Sequence, residues 1–236
     1  MSASITRWLQ ADARSGILFN LGASISMGGD FFPSGVILTP VSKSAHSITL
    51  PANAQIAGIR FYAGVGFDIF QRHYQRPMLL DGDNEHGELQ KIHARLRKLD
   101  NNTARISALY RFLCSENNIF SIQATKTKTH LHRSLEPVPH QNSMASFSLS
   151  QRQIERTFQK RLDMTPKHYQ RIMRVRKTLD SLKAKPESDL VSLALDHGFS
   201  DQAHMNREFR EIAGISPKRF GKLIKQRITL NTTPTN

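Results

Sequence analysis

Residues 190–222 read LVSLALDHGFSDQAHMNREFREIAGISPKRFGK, and the organisation of the chain follows from them. Leu190, Leu193 and Ala194 recur at i, i+3 and i+4, which gives a short helix one apolar stripe. Gly198 follows where a helix stops in a left-handed conformation that costs glycine little. Ser200 stands where an N-cap belongs, and Asp201 falls in the first turn of the next helix, where its charge suits the dipole. That helix buries Met205, Phe209 and Ile212, spaced i, i+4 and i+7. At about 100° per residue, the opposite side carries Ala203, Asn206, Arg207 and Arg210, flanked by Gln202 and His204. A helix, a glycine turn and a second helix with a polar, basic outer face predict a helix-turn-helix.

The pattern occurs once before, 51 residues upstream. Arg156-Thr-Phe158, Asp163 and Pro166 repeat the spacing of Arg207-Glu-Phe209, Gly214 and Pro217. Ile154 matches Met205, and Arg152, Glu155 and Arg156 take the phase of Ala203, Asn206 and Arg207. The turn of the first copy is one residue shorter, from Ser148 to Phe158 against Gly198 to Phe209. A helix from about Pro166 to Ala184 joins the two.

This tandem arrangement resembles the DNA-binding domain of the AraC/XylS family of bacterial transcription regulators. In the first half the matching residues are Ser150, Arg156, Phe158, Pro166, Tyr169, Arg174 and Leu182. In the second they are Ala194, Gly198, Phe199, Ser200, Gln202, Arg207, Phe209, Gly214, Ser216, Pro217 and Phe220. The resemblance covers roughly residues 143 to 222. The chain departs from the family at Ser148 and Asp163, where glycine is usual, and at Met144 and Thr178, where alanine is usual. The segment Pro137–Phe147, where the first helix belongs, is a poor helix on propensity.

At 236 residues the chain can bury one large or two small cores. Mean hydropathy is −0.42, and no run of eighteen apolar residues exists to span a membrane. The N-terminus lacks a basic segment leading into an apolar core, so no secretory signal is expected. Cys114 is the single cysteine, which excludes a disulfide framework and a thiolate metal cluster and fits a reducing cytoplasm. The net charge of +14 is uneven: residues 1–120 hold 12 Lys/Arg and 9 Asp/Glu, net +3, and the rest hold 21 and 10, net +11. The basic half is the half with the repeated motif, which points to DNA phosphate.

Four domain segments are expected. Residues 1–120 form a β-rich regulatory or dimerisation domain with two C-terminal helices, 121–142 a linker, 143–225 the tandem helix-turn-helix, and 226–236 a tail. The fold class is therefore α+β in two domains. Within the first segment Gly16–Gly22, Val36–Pro40, Ser47–Pro51 and Ala54–Phe61 read as short strands punctuated by Gly and Pro, the makings of a small antiparallel sheet or half-barrel. Gly16–Gly22 with Ala57–Phe61 and Gly64 also resembles the β-rich N-terminal domain of some AraC-type regulators. In those relatives more sequence precedes the first run, so this domain is expected to be trimmed or to lack a strand. Phe67 to Pro77 reads as a short helix and turn. Leu89, Ile92, Leu96 and Leu99 step 3, 4, 3, and Ile106, Leu109, Tyr110 and Leu113 stripe a second helix. These helices either cover the domain's own core or pair two chains, the latter being the role the resemblance implies.

Metal sites find little support. Asp81 and Asp83 start like a calcium loop, but His86 and Ile92 stand where Gly and Glu are needed. His130 and His132 in the linker have only Glu136 nearby. No metal or cofactor is expected.

The residues that the family pattern assigns to DNA are Gln202, Ala203, His204, Asn206 and Arg207 in the second helix and Arg152, Glu155 and Arg156 in the first. Arg can fork onto guanine, Gln or Asn onto adenine, and Glu155 can accept from cytosine. Arg156 and Arg207 could instead hold phosphates or acid partners. Lys160, Lys167, Arg171, Lys218 and Arg219 suit phosphate contacts or plain solvation. The joining helix would place the readers in successive major grooves. Double-stranded DNA is thus the expected partner, with RNA polymerase and a second copy through helices 88–115 as candidates, and the location is the cytoplasmic nucleoid. Arg60, Tyr62 and His46 are the polar groups expected at the mouth of an effector pocket in the first segment. A nucleoid architectural protein without regulatory input is one alternative. The other is a DNA-repair enzyme with Cys114 as nucleophile, although no Gly-x-Ser-x-Gly, P-loop or His-Glu-x-x-His motif occurs.

Overall fold

The structure is a computed structural model that describes residues 4–80, 87–115 and 150–232. The Asp81–His86 part of the acidic turn, the His130/His132 pair, the segment 137–147 and the linker lie outside the described residues. The remainder divides into two compact units. One comprises the residues up to Arg7, Ala13–Val41 and Ser47–Pro166; the other comprises Trp8–Asp12, Ser42–His46 and the residues from Lys167 onward. No helix among the described residues is long and apolar enough to cross a membrane.

The first unit is β-rich. Two four-stranded sheets run in the orders β1-β6-β3-β4 and β7-β2-β5-β8. Their strands are β1 (Ile5–Leu9), β2 (Gly16–Asn20), β3 (Ile25–Met27), β4 (Asp30–Phe32), β5 (Gly35–Thr39), β6 (His46–Leu50), β7 (Ile56–Arg60) and β8 (Met78–Leu79). Strand β2 is central, pairing antiparallel with β5 (Ile17 opposite Leu38) and with β7 (Ile17 opposite Ile59). The four expected strands are all present. Gly28-Gly29 turns β3 into β4 with φ of 61° and 103°, a two-residue hairpin that glycines make without steric cost.

Both faces of the β2–β5 pair are covered, because successive side chains alternate. Ile17, Phe19, Val36 and Leu38 face a core shared with the helices α1 (Val65–Phe70), α2 (Gly87–Arg97) and α3 (Asn102–Cys114). Ile37 and Leu18 face the second core with Ile25, Met27, Phe32 and Ile48. That double burial explains why Val36-Ile-Leu38 is a continuous apolar run rather than an alternating one.

The expected seam of α2 faces inward. Leu89, Ile92 and Leu96 are buried in the unit's own core, and Leu109 of α3 joins them. The 3-4-3 spacing is shared by coiled coils and by any helix lying on a sheet, and here the sheet takes it. On α3 the expected stripe splits: Ile106 and Tyr110 are 66% and 67% exposed.

Three buried polar groups tie the helices to the strands. Asn20 Nδ2 donates to the carbonyls of Ala23 and Pro33, both at 3.0 Å, and the Asn20 carbonyl lies 2.9 Å from His93 Nε2. Arg105 donates to Gln55 Oε1 at 2.7 Å. Each satisfies a group that would otherwise be desolvated without a partner.

The remaining helices are α4 (Gln151–Leu162), which falls in the first unit, and α5 (Pro166–Ala184), α6 (Leu190–Asp196), α7 (Gln202–Ala213) and α8 (Pro217–Thr232). In the second unit Ile172, Val175, Leu179 and Leu182 of α5, Leu193 and Ala194 of α6, and Met205, Phe209 and Ile212 of α7 are buried. The Phe209 and Phe220 rings lie 6.2 Å apart.

Candidate nucleic-acid interface

The 51-residue repeat in the sequence is also a repeat in the backbone. Helices α4 and α7 begin and end 51 residues apart, as do their N-caps Ser150 and Asp201 and their C-caps Asp163 and Gly214. In α4 the Ser150 hydroxyl accepts from the Gln153 N–H at 3.3 Å, while Gln153 Oε1 accepts from the Ser150 N–H at 2.7 Å. This reciprocal capping box satisfies two donors that the first turn leaves open. In α7 the cap is Asp201, whose carboxylate accepts from the His204 N–H at 2.6 Å. The helix thus starts one residue later than the Ser200 reading expected, because the charged acceptor suits the helix N-terminus better than a hydroxyl.

Two departures from the family pattern have local explanations. Asp163 takes the left-handed conformation (φ 51°), which Asp tolerates better than most side chains, and Gln159 Nε2 donates to its carboxylate at 2.9 Å. Thr178 is fully buried, and its hydroxyl donates to the Arg174 carbonyl one turn back, at 2.9 Å. Between α6 and α7, the Phe199 N–H bonds the Ala194 carbonyl and the Gly198 N–H bonds the Leu195 carbonyl. With Gly198 at φ 73° this is a Schellman ending, which turns the chain sharply into α7.

A buried carboxylate fixes α7 against α5. Glu208 accepts from Arg171 Nε at 2.8 Å and lies 3.2 Å from Arg174 Nε, with only 7% of its side chain exposed. Arg174 also donates to the Gly198 carbonyl at 2.9 Å and lies over the Phe199 ring, 5.0 Å from its centroid. Arg171 reaches Glu211 as well, and the bond to Glu211 is the chief reason its guanidinium pKa is raised.

The expected readers are distributed unevenly over their helices. Arg152, Glu155 and Arg156 are exposed on α4, and Gln151 Nε2 donates to Glu155 at 2.9 Å. On α7 Ala203 and Arg207 are exposed, while Gln202, His204 and Asn206 are half-buried; Lys218 is exposed on α8. His204 is engaged at both ring nitrogens: Nδ1 lies 3.0 Å from the Ser200 hydroxyl and Nε2 lies 3.4 Å from Glu208 Oε1. Sequence spacing missed Glu208 and Arg174 as a pair, because they lie 34 residues apart and only the α5–α7 crossing brings them together.

The carboxylates of the second unit predict its acid response. The backbone N–H of Ser192 holds Asp189 below the usual carboxylate range, that of His204 does the same for Asp201, and Arg171 does so for Glu211. A depressed folded-state pKa contributes stability that is present above the unfolded value, about 4, and is lost as pH falls through the folded one. Melting temperature should therefore drop as pH is lowered below about 4. Asp201→Asn keeps a capping oxygen and should flatten that drop; an unchanged slope on thermal melts would show that Asp201 does not contribute.

The groups expected at an effector mouth have the following surroundings. Arg60 Nη1 lies 3.5 Å from Thr39 Oγ1, Tyr62 lies under the Arg14 guanidinium, and His46 is the first residue of β6. A small pocket in the first unit is lined by Ser15, Thr39, Phe67, Phe70, His73 and Tyr74 with their neighbours. Cys114 is exposed at the end of α3, beside the Tyr110 hydroxyl, whose pKa it raises.

Residues 144–222 match the family model described as "Helix-turn-helix domain". No curated protein matches the chain. Among solved structures, ToxT from Vibrio cholerae superposes with a TM-score of 0.44 at 12% identity, over 94% of this chain and 96% of that one. A ToxT crystal structure with bound (E)-4-(8-methylnaphthalen-1-yl)but-3-enoic acid gives 0.46 at 11% identity, over 95% and 96%.

Proposed function

We propose that the protein, whose residues 144–222 match a helix-turn-helix family model, is a sequence-specific DNA-binding transcription regulator of the AraC type whose reading helices are α4 and α7. The observation that carries this reading is the repeated helix with an exposed polar face: Arg152, Glu155 and Arg156 on one copy, Ala203 and Arg207 on the other. Arg156 and Arg207 hold the same position in the two copies and are the residues we assign to base edges, where a guanidinium forks onto guanine. Gln202 and Asn206 stand beside Arg207 with amides suited to adenine. His204 has a different part in this proposal. Its nitrogens meet Ser200 and Glu208, so it orients the start of α7 rather than reading bases. Lys218 serves phosphate.

Regulatory input belongs to the first 120 residues in this reading, and the working location is the nucleoid. A second copy is proposed to pair through the outer face of α3, where Ile106 and Tyr110 stand exposed at i and i+4. RNA polymerase remains a candidate partner on the family pattern.

Selection of the full-length protein against random duplex DNA tests the core of this proposal. A single short operator should emerge, with log affinity falling against log salt by about 0.9 for each phosphate neutralised. Arg207→Ala should weaken the operator by about 1–3 kcal/mol and relax preference at one or two base pairs, whereas Lys218→Ala should weaken all sequences alike. Equal affinity for every sequence would leave an architectural binder, and no binding at all would end the proposal.

A further inference from the structure

Each proposed reading helix ends on groups supplied from the first 75 residues. The last carbonyls of a helix lack donors within it. In the unit that contains α4, the Lys160 carbonyl lies 2.8 Å from His73 Nε2, whose N–H can cap it. The His73 ring is held by stacking on Phe67, with centroids 4.9 Å apart. Gln75 Nε2 donates to Asp163 Oδ2 at 3.1 Å, just past the end of the helix. Arg161 Nη1 lies 3.5 Å from Asp68 Oδ2, and both atoms are buried without a hydrogen bond. Burial pushes the Asp68 carboxyl pKa up, and Arg161 and Lys160 lower it only in part. A desolvated pair of this kind is weak evidence of stability, and its geometry ties α1 to the last turn of α4.

The second unit contains a parallel arrangement. The Ile212 carbonyl in the last turn of α7 accepts from the Ala45 N–H at 2.8 Å. Gly214, which closes α7 at φ 68°, is covered by the same strip: a Cβ there would lie 3.6 Å from Ala45 Cβ and 3.7 Å from Trp8 Cζ3. All these groups grip the final turns or the residues just beyond them, and none is among the reader residues themselves.

We propose that the N-terminal part of the chain seats both reading helices at their C-terminal ends, with Asp68, His73 and Gln75 as positioning residues for α4 and with Trp8 and Ala45 for α7. The proposal rests on the assignment of α4 and α7 as DNA readers. Whatever moves the segments at 42–46 or 68–75 would then alter the pose of one reader without touching the other, so control of DNA binding divides by half-site. A regulator built this way carries part of each reading module outside residues 144–222.

Hydroxyl-radical footprinting of the full-length protein on its selected operator tests the division. Arg156→Ala and Arg207→Ala first identify which half of the site belongs to α4 and which to α7. The double variant His73→Ala with Gln75→Ala should then weaken the α4 half by roughly tenfold, as expected for losing bonds that hold a helix end, and leave the α7 half protected. Trp8→Ala should do the reverse. If the double variant fails to fold, Asp68→Asn and Gln75→Ala as single changes carry the same comparison. Equal weakening of both halves, or unchanged protection in every folded variant, would overturn the proposal. No footprint by the wild-type protein on any duplex would overturn the DNA-reading assignment itself, and the seating proposal with it.

Discussion

Replacing Glu208 by alanine is expected to destabilise the second helix-turn-helix by about 3 kcal/mol, the low end for removing one partner of a buried ion pair. The Glu208 carboxylate is nearly inaccessible and faces two guanidinium groups from α5. Its removal leaves those charges close together in a partly desolvated place. The loss stays at the low end because Arg171 keeps Glu211 and Arg174 keeps the Gly198 carbonyl. Both arginines also retain enough exposure to turn toward water. Glu211 is the control: it bonds the same Arg171, but 58% of its side chain is exposed, so Glu211→Ala should cost under about 1 kcal/mol. Urea unfolding of both variants decides the matter. Similar midpoints would mean that Glu208 is solvated in solution and that apolar burial alone fixes the α5–α7 crossing. A further consequence separates position from stability. Glu208→Gln keeps an acceptor of the same shape, so it should lose less stability than alanine while disturbing His204, which the carboxylate meets at 3.4 Å.

The other large effect concerns α2. Leu96→Glu should unfold the first unit, because Leu96 is 0% exposed and sits in the core formed by Ile17, Phe19, Leu89 and Leu109. Truncating a buried leucine to alanine already costs about 2–5 kcal/mol, and an unpaired carboxylate in the same place adds to that. Against a typical total of about 5–15 kcal/mol, little folded protein should remain. Tyr110→Glu is the informative contrast. Tyr110 projects from the outer side of α3, and a surface change of that kind usually stays within about 0.5 kcal/mol. It should leave the circular dichroism spectrum and melting unchanged and, where two copies pair through α3, convert the dimer to monomers in sedimentation. A folded Leu96→Glu variant would place α2 on the surface, contrary to the structure. A wild-type protein that is monomeric at micromolar concentration would remove the pairing proposal and leave the core assignment intact.

Much of the DNA-binding segment was legible because its information is local. Helix periodicity, the glycine at 198, the prolines at 166 and 217 and the 51-residue offset each act within a few residues of chain. They place the N-cap of α7 to within one residue, Ser200 against the observed Asp201. Strands β2, β5, β6 and β7 were legible for the same reason, as apolar runs between Gly and Pro. Strand β1 was not, since all five of its residues are exposed and no alternation marks it. Strands β3 and β4 are only three residues each, although the Gly28-Gly29 pair between them was a usable hairpin signal.

What the sequence determined by itself was therefore the helical stripes, four of the strands, the repeat and the polar faces the two repeated helices present, because backbone hydrogen bonding and side-chain periodicity are set by near neighbours. Which apolar stripe faces inward was decided only by the tertiary structure. The Leu89–Leu96 spacing fits a second helix and a sheet equally well, and β2 with β5 supplied the sheet. The partners of buried charge were decided there too. Glu208 with Arg174, Asp68 with Arg161 and His73 with the Lys160 carbonyl are separated by 34, 93 and 87 residues in the numbering. No periodicity links such pairs. They meet because packing of the apolar faces brings them within a few ångströms, and once desolvated each must find an opposite charge or an open hydrogen-bonding group.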